Sequence, residues 1–441
     1  MNNSESKLEN VYQLDGRVPL GKAIPFGLQH VLAMFIANLA PIFLIGKVAN
    51  LPADTMVILL QNAMFVAGVG SLIQLYSIGG IIGARLPIIM GVSFTFVSVL
   101  SYIATNYGYP TVIGAVIVGG IFEGSLGLTA RYWRKFIDPI VSSSVVTAIG
   151  YSLLSVGARS MGGGYSQGFG SAVNIFLSVL TLLSCLVFSA LAKGFYKQLS
   201  VLFGLIVGYV TAILMGVVNF TPILKATPFS LPHFLPFTPE FNLGAIISTC
   251  IIFLVSAAET IGDTSAMTAM GLHREVTEKE ISGSLGCDGY GSTIAGLFGC
   301  SPITSFSQNV GLIAMTGVVN RFTIATGAAC MILGSLFPPL GAFFTSLPEA
   351  VLGGCTIMLF GTIMISGIRM LADCGFSQRN VIISALSISL GLGLTSPTEL
   401  DIWKLAPQMV KEVFAANCVA IVFVVAFVLN LLLPRSMDNK D

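Results

Sequence analysis

Charged residues are scarce in this 441-residue chain, at 9% of the sequence against 54% hydrophobic residues. Such a composition excludes a water-soluble globular protein and predicts an integral membrane protein that crosses the bilayer many times. The formal net charge is only +1, so the chain offers no electrostatic reason to bind nucleic acid.

Several motifs of energy-coupling and hydrolytic proteins are also missing. The sequence has no P-loop, which argues against ATP as the energy source, and no HExxH or GxSxG motif, which argues against a protease or lipase. It has no TVGYG potassium filter. The eight cysteines form no CxxC pair, so we expect packing residues rather than disulfides, and we predict no metal and no cofactor. An ion gradient is the remaining source of energy.

Fourteen apolar segments, each near the roughly 20 residues that a bilayer-spanning helix needs, divide the chain. The first seven are predicted at 24–46, 55–78, 81–101, 110–129, 137–157, 172–192 and 199–219. The second seven are predicted at 244–271, 281–298, 299–319, 321–346, 349–369, 379–395 and 411–433. With both termini cytoplasmic, 16 of the 21 Lys and Arg residues fall on the cytoplasmic side. We therefore expect a multi-pass protein of the plasma (cytoplasmic) membrane.

Seven spans in each half give the two halves opposite orientations, which is an inverted repeat typical of secondary transporters. The predicted parts are a cytoplasmic segment 1–23, a first repeat 24–219, an extracellular linker 220–243, a second repeat 244–433 and a cytoplasmic tail 434–441. The third segment of each half carries Pro, Gly and hydroxyl residues where a continuous helix would favour Leu or Ala, around Ser93 and around Ser305. Paired interruptions predict a substrate site at mid-membrane, although Pro and Gly are common in membrane helices.

Ionisable residues inside apolar segments are expensive, and they indicate functional sites by default. Glu259 and Asp263 lie four positions apart in the eighth segment, so their carboxyls share one helix face. Such a pair can hold a proton near neutral pH and release it when its surroundings change; the alternative is a hydrogen-bonded structural pair. Gln308 and Asn309 supply both donors and acceptors, as a planar heterocycle with alternating N–H and C=O groups requires; the alternative is contact between helices.

Three other residues in the apolar segments have candidate roles, and a fourth has none. We expect His30 in the first segment to be a hydrogen-bonded strut rather than a proton relay. Asp288, at the start of the ninth segment, either orients the site or caps a helix. Phe94 either stacks on a flat ligand or packs in the core. Glu123 is a further intramembrane acid to which the sequence assigns no role.

The run from Gln308 to Gly317 resembles the signature of the nucleobase–ascorbate transporter family. That signature is Gln, Glu or Pro, then Asn, any residue, Gly, four residues of any kind, Thr, and Arg, Lys or Gly, and every fixed position fits. Other landmarks agree in order over essentially the whole chain: Gln29-His30, Ser93-Phe94, Ala258-Glu259 with Asp263, and Asp288. The resemblance is to the xanthine and uric acid permease type. It implies a transporter rather than an enzyme.

The resemblance also implies an all-α polytopic fold of 14 transmembrane spans in two inverted seven-span repeats. Spans 1–4 and 8–11 would form a core domain, spans 5–7 and 12–14 a gate domain, and broken spans 3 and 10 would contain short strands. Members are typically homodimers that work by elevator-like movement of the core. The substrate-binding positions would be Glu259, Gln308, Phe94, Ser93 and Ser307. Proton coupling and support of the site would fall to Asp263, Asn309, His30 and Asp288.

The substrate that the resemblance implies depends on two positions. Uracil-type members tend to have Glu where this chain has Gln308, and His where it has Asp263, so an oxidised purine is favoured, with xanthine ahead of uric acid. The resulting prediction is proton-coupled purine import. A uracil or other pyrimidine permease is one alternative. An anion exchanger of similar two-repeat fold is another, although deep acids and amides would repel anions.

Overall fold

The computed structural model describes residues 10–134, 137–164, 168–396, 402–407, 410–415 and 417–438. In these ranges the protein is an assembly of helices with two very short strands. Eight of the described helices are long and apolar enough to cross a membrane, or nine if a bent pair counts as one span. The chain is thus a multi-pass membrane protein, and the count of fourteen spans stays a prediction. Three residues of the basic-residue count lie outside the described residues: Lys7, Lys135 and Lys440.

The helices of the first half follow the predicted segments, with the third segment as the irregular one. They are α1 (Leu20–Val48), α2 (Ala53–Tyr76), α3 (Val97–Tyr107), α4 (Tyr109–Leu128), α5 (Ala130–Trp133), α6 (Pro139–Met161), α7 (Ala172–Leu191), α8 (Ser200–Leu214) and α9 (Thr221–Lys225). Proline lies in the first turn of α4 and of α6, where its missing N–H leaves no intrahelical bond unmade. The side chain of Ser171 caps α7 by accepting a hydrogen bond from the backbone N–H of Asn174.

The second half departs from its predicted segments in two places. Its helices are α10 (Leu243–Leu272), α11 (Glu278–Leu297), α12 (Ser307–Thr316), α13 (Arg321–Ser335), α14 (Pro338–Ser346), α15 (Glu349–Asp373), α16 (Gln378–Thr395) and α17 (Cys418–Leu432). The segment predicted at 321–346 is two helices bent by 79°, because Pro338 cannot continue α13 and forces the preceding residue out of the helical region. In the segment predicted at 411–433, a separate π-helical turn precedes α17.

Two strands, β1 (Met90–Val92) and β2 (Ile303–Ser305), form an antiparallel pair in the predicted third and tenth segments. The register places Met90 opposite Ser305, Gly91 opposite Thr304 and Val92 opposite Ile303. The backbone N–H of Ser93 extends the pair by donating to the carbonyl of Pro302 at 2.9 Å. All six strand residues are buried, so their outward backbone groups must find partners among side chains.

The helices pack in two groups. In the first group, α4 lies against α10 and α11, and α13 lies against α1 and α2. In the second group, α15 lies against α6 and α7, α7 lies against α8, and α16 lies against α17. Only 22% of the most apolar stretch of α7 is buried, against 72% for α1 and for α2. Helix α7 therefore exposes much more apolar surface than α1 or α2, as suits contact with lipid or with another protein.

Candidate functional site

A cavity of about 500 Å³ lies beside the strand pair, between the two helix groups. On one side it is lined by residues that follow β1 and β2. The other side is lined by residues of the second helix group: Val146, Ile149, Val201, Met358, Leu359 and Thr362. The cavity extends to Lys197 and Arg369, two of the 16 basic residues that the predicted orientation places on the cytoplasmic side.

All five residues predicted to contact a substrate line this cavity: Glu259, Gln308, Phe94, Ser93 and Ser307. They come from three separate parts of the chain, and the strand pair brings two of those parts together. Contact with a ligand stays a prediction, but the geometry that it needs is present.

The paired acids of α10 reach both broken segments. Thr95 Oγ1 donates to Glu259 Oε2 at 2.8 Å, on the β1 side. Ser307 Oγ donates to Asp263 Oδ2 at 2.7 Å, on the β2 side. Because the acids lie one helical turn apart, one face of α10 contacts the residues that follow each strand. Ser307 therefore does more than line the cavity, since its hydroxyl also positions Asp263.

Asp288 lies fully buried in the middle of α11 and accepts three hydrogen bonds. Thr260 Oγ1 donates to Oδ2 at 2.5 Å, the backbone N–H of Ser305 donates to Oδ2 at 3.2 Å, and Ser305 Oγ donates to Oδ1 at 3.2 Å. The expectation of a helix cap is wrong because the residue is far from either helix end. Ser292, one turn further along, also holds β2, through hydrogen bonds with both backbone groups of Ile303.

The two amides at the start of α12 point in different directions. Asn309 is buried, and its Nδ2 lies 3.1 Å from His30 Nδ1 and donates to the His30 carbonyl at 3.3 Å. These contacts join α12 to α1, which fits the expected role of His30 as a strut. Gln308 faces the cavity and makes no hydrogen bond within the described part of the chain, so its amide is available to a ligand.

Phe94 lies where the two helix groups meet. The ring is 6% exposed and packs edge-on against Phe360 of α15, with ring centroids 5.3 Å apart and an interplanar angle of 84°. Ser93 begins the short turn that carries this ring, because its Oγ accepts a hydrogen bond from the backbone N–H of Thr95. The ring is both packed and cavity-lining, so stacking and packing remain compatible roles.

Sequence reasoning missed the side chains that hold β1. Asn38 Oδ1 accepts from the backbone N–H of Val92 at 2.8 Å, and Ser71 Oγ accepts from the backbone N–H of Met90 at 2.9 Å. An isolated amide in the apolar run of α1 was the available signal for Asn38. The sequence contained no signal for its partner, 54 residues away.

A larger cavity, of about 790 Å³, lies elsewhere between the helix groups. Lys47 of α1 and Glu349 of α15 line it and form an ion pair with an N–O distance of 3.5 Å. None of the predicted site residues lines it. The smaller cavity is therefore the candidate site.

The acids around the candidate site are bonded to hydroxyls. Thr95, Thr260, Ser305 and Ser307 are the donors. Over the ranges that the structure describes, no group of three or more His, Cys, Asp or Glu side chains could hold a metal ion. Carboxyls that accept from hydroxyls can exchange protons, because a hydroxyl can also turn to accept.

Comparisons with known proteins identify the family of this chain. The permease family model (Xan_ur_permease) matches residues 21–400. The chain is 35% identical over 417 residues to the xanthine permease of Bacillus subtilis (strain 168), covering 93% of each chain. It is 33% identical over 388 residues to the uric acid permease PucJ of the same organism, covering 85% of each chain.

Among solved structures, the transmembrane domain of a cyanobacterium bicarbonate transporter, BicA, aligns with a TM-score of 0.54 at 12% identity. The alignment covers 94% of this chain and 99% of that chain, and it shows a likeness of fold alone. The sequence relatives carry the family assignment. The protein belongs to the permease family, of the xanthine and uric acid permease type, and it is a membrane transporter rather than an enzyme.

Proposed function

We propose that this protein is a proton-coupled symporter that imports an oxidised purine base, xanthine ahead of uric acid, across the plasma membrane. The cavity carries the proposal, because an acid with one hydroxyl partner and an unpaired amide line the same space. Glu259 offers an acceptor and Gln308 offers both donor and acceptor, which suits the alternating N–H and C=O edge of a purine dione. Relatives named as xanthine and uric acid permeases support this substrate class.

The predicted roles can be distributed over the cavity. Glu259 and Gln308 hydrogen-bond the base, Phe94 stacks on it, and Ser93 and Ser307 contact its edge. Asp263, Asn309, His30 and Asp288 support these residues and couple the proton.

The two helix groups support an elevator mechanism. The first group corresponds to spans 1–4 and 8–11, which we assign to the core domain, and the second to spans 5–7 and 12–14, which we assign to the gate. Every proposed binding residue belongs to the core side of the cavity, and the facing wall belongs to the gate side. Movement of the core past the gate would carry the base across the membrane. We expect a homodimer with both termini cytoplasmic.

A single proton supplies enough energy for uphill transport. Each charge moved through 100 mV contributes about 2.3 kcal/mol, or roughly fifty-fold accumulation of a neutral solute. Glu259, the acid that lines the cavity, argues against the anion-exchange alternative, since an ionised carboxyl repels anions.

Uptake of radiolabelled xanthine tests this function in a strain that lacks its own purine carriers. We expect saturable uptake that excess uric acid reduces, that excess uracil leaves unchanged, and that a protonophore abolishes. Inhibition by uracil but not by uric acid would assign the protein to the pyrimidine permeases. Accumulation that survives the protonophore would contradict proton coupling.

Replacing Glu259 with Gln tests the acid of the cavity. The amide keeps the shape of the side chain but cannot bind and release a proton, so we expect Glu259→Gln to abolish accumulation of xanthine and to lower its rate of uptake by at least about 100-fold. Glu240→Gln is the matched control, because Glu240 also accepts from a threonine hydroxyl, that of Thr111, outside the cavity. Wild-type accumulation by Glu259→Gln, at equal membrane abundance, would contradict the assignment.

A further inference from the structure

Glu123 is an acid that the proposed transport cycle does not use. It lies in α4, is completely buried, and neither of its carboxyl oxygens has a hydrogen-bond partner among the described residues. An ionised carboxyl without partners is very costly in such a place, whereas a neutral carboxylic acid is tolerated. The surroundings of Glu123 therefore favour the side chain with its proton bound.

The main chains of α4 and α11 are in close contact on both sides of Glu123. A Cβ atom on Gly289 would lie 2.0 Å from the backbone N of Gly124, and one on Gly120 would lie 2.6 Å from the backbone N of Thr293. Such close contact between α4 and α11 leaves little space for water. A proton that enters or leaves Glu123 must therefore pass through the groups beside it.

The groups beside Glu123 belong to the candidate site. Gly289, the neighbour of Asp288 on α11, packs directly on the main chain of Glu123, since a Cβ on Gly289 would lie 2.7 Å from the carbonyl carbon of Glu123. Ser256 and Glu259 lie on α10, which also packs on α4. Ser256 Oγ is itself buried and has no hydrogen-bond partner among the described residues. The other titratable group on this face is Tyr290, whose ring packs on α4. Helix α3, which also packs on α4, contains no Asp, Glu, Lys, Arg or His.

We propose that Glu123 is a second proton-carrying group of this transporter and that it exchanges its proton with Asp288. The two acids have complementary surroundings, since three donors favour an ionised Asp288 and the lack of partners favours a neutral Glu123. In the exchange, the O–H bond of Glu123 breaks and an O–H bond forms on Asp288. The pair keeps one proton and one negative charge throughout, and the form with an ionised Glu123 is the higher-energy, minor one.

Transfer of this proton would affect the substrate site through β2. A protonated Asp288 is a weaker acceptor, so its bonds to the backbone and hydroxyl of Ser305 weaken. Ser305 ends β2, and the residues that follow line the cavity. The inference depends on the proposed proton-coupled function, since it adds a group to that coupling.

Proteoliposomes that contain wild type, Glu123→Gln or Glu123→Asp test the proposal. Gln matches a neutral Glu in size but cannot release a proton. We therefore expect Glu123→Gln to retain exchange of labelled xanthine while its proton-driven accumulation falls at least about tenfold. Glu123→Asp keeps an exchangeable proton, so we expect it to restore part of the accumulation with a shifted pH profile. A merely structural role predicts the reverse, because the larger and neutral Gln would then be the better replacement.

Three results would overturn parts of this account. Wild-type accumulation and an unchanged pH profile in Glu123→Gln would refute the role of Glu123. If Glu123→Gln does not reach the membrane, an unchanged pH profile in Glu123→Asp refutes it instead. Wild-type accumulation that resists a protonophore would refute the proton-coupled function itself, and the role of Glu123 with it.

Discussion

The two broken segments meet as β1 and β2, but the protein holds them in different ways. Among the residues that the structure describes, the side chains that hold the backbone of β1 are neutral: Asn38 and Ser71 accept from its N–H groups. A neutral Ser292 and a carboxyl, that of Asp288, hold β2. A change in the protonation of Asp288 would therefore act directly on β2, whereas the backbone of β1 would keep its neutral partners.

The side chains that follow the two strands also differ in their chemistry. The turn after β1 supplies the aromatic ring of Phe94 and a hydroxyl, that of Thr95. Helix α12, after β2, supplies the hydroxyl of Ser307 and the free amide of Gln308. Under the proposed function, the β1 side supplies a surface for a flat ring and the β2 side chooses among rings by their hydrogen bonds.

Among the substitutions that test this difference between β1 and β2, Asp288→Asn is expected to have the largest effect. An amide nitrogen cannot accept the bonds that one carboxyl oxygen accepts now, so a buried donor is left unpaired at a cost of about 1–3 kcal/mol. The loss of an exchangeable proton adds to that cost, and we expect xanthine uptake to fall by about 100-fold or more. Uptake at equal membrane abundance is the measurement.

Ser292→Ala is the control for that variant, since Ser292 holds the same strand from the same helix without a charge. We expect it to lower the thermal stability of the purified protein while leaving the pH profile of uptake unchanged. If Asp288→Asn and Ser292→Ala shift the pH profile of uptake alike, the carboxyl of Asp288 only holds β2 in place, as the hydroxyl of Ser292 does.

Gln308→Glu is expected to have an intermediate effect. The change removes the N–H donors of the amide and adds a negative charge, so we expect xanthine uptake to fall by roughly tenfold and uracil to become a competitor. Gln198→Glu makes the same chemical change at another residue that lines the cavity and should alter uptake little. Equal effects of the two substitutions would contradict contact between Gln308 and the base.

Asn38→Ala is expected to have the smallest effect, because it removes a neutral acceptor from the fixed strand. The backbone N–H of Val92 would lose its partner at a cost of about 1–3 kcal/mol, partly offset if water enters the space. We expect a few-fold loss of uptake and a lower melting temperature in detergent, with no change in substrate preference. A changed preference among bases would show that β1 also selects the substrate.

The sequence predicted the local features of the site but not the contacts between residues far apart in the chain. Proline, glycine and hydroxyl residues located both breaks, and a four-residue spacing placed Glu259 and Asp263 on one face. The bend at Pro338 was missed because its residues are as apolar as the helix that they interrupt. The bonds of Thr95 to Glu259 and of Asn38 to Val92 join residues far apart in the chain, and no local pattern encodes such pairs. Glu123 was visible as an acid, but its position beside Asp288 required the fold.

The glycine contacts between α4 and α11 have a mechanical consequence. A Cβ on Gly127 would lie 2.6 Å from the backbone N of Gly286, so the main chains there touch with no side chain between them. Neither helix can slide past the other without collision of main-chain atoms. Under the proposed elevator mechanism, Glu123 and Asp288, which lie at this contact, would move as part of one rigid block. The base and the proton would then cross the membrane together, in one movement of that block.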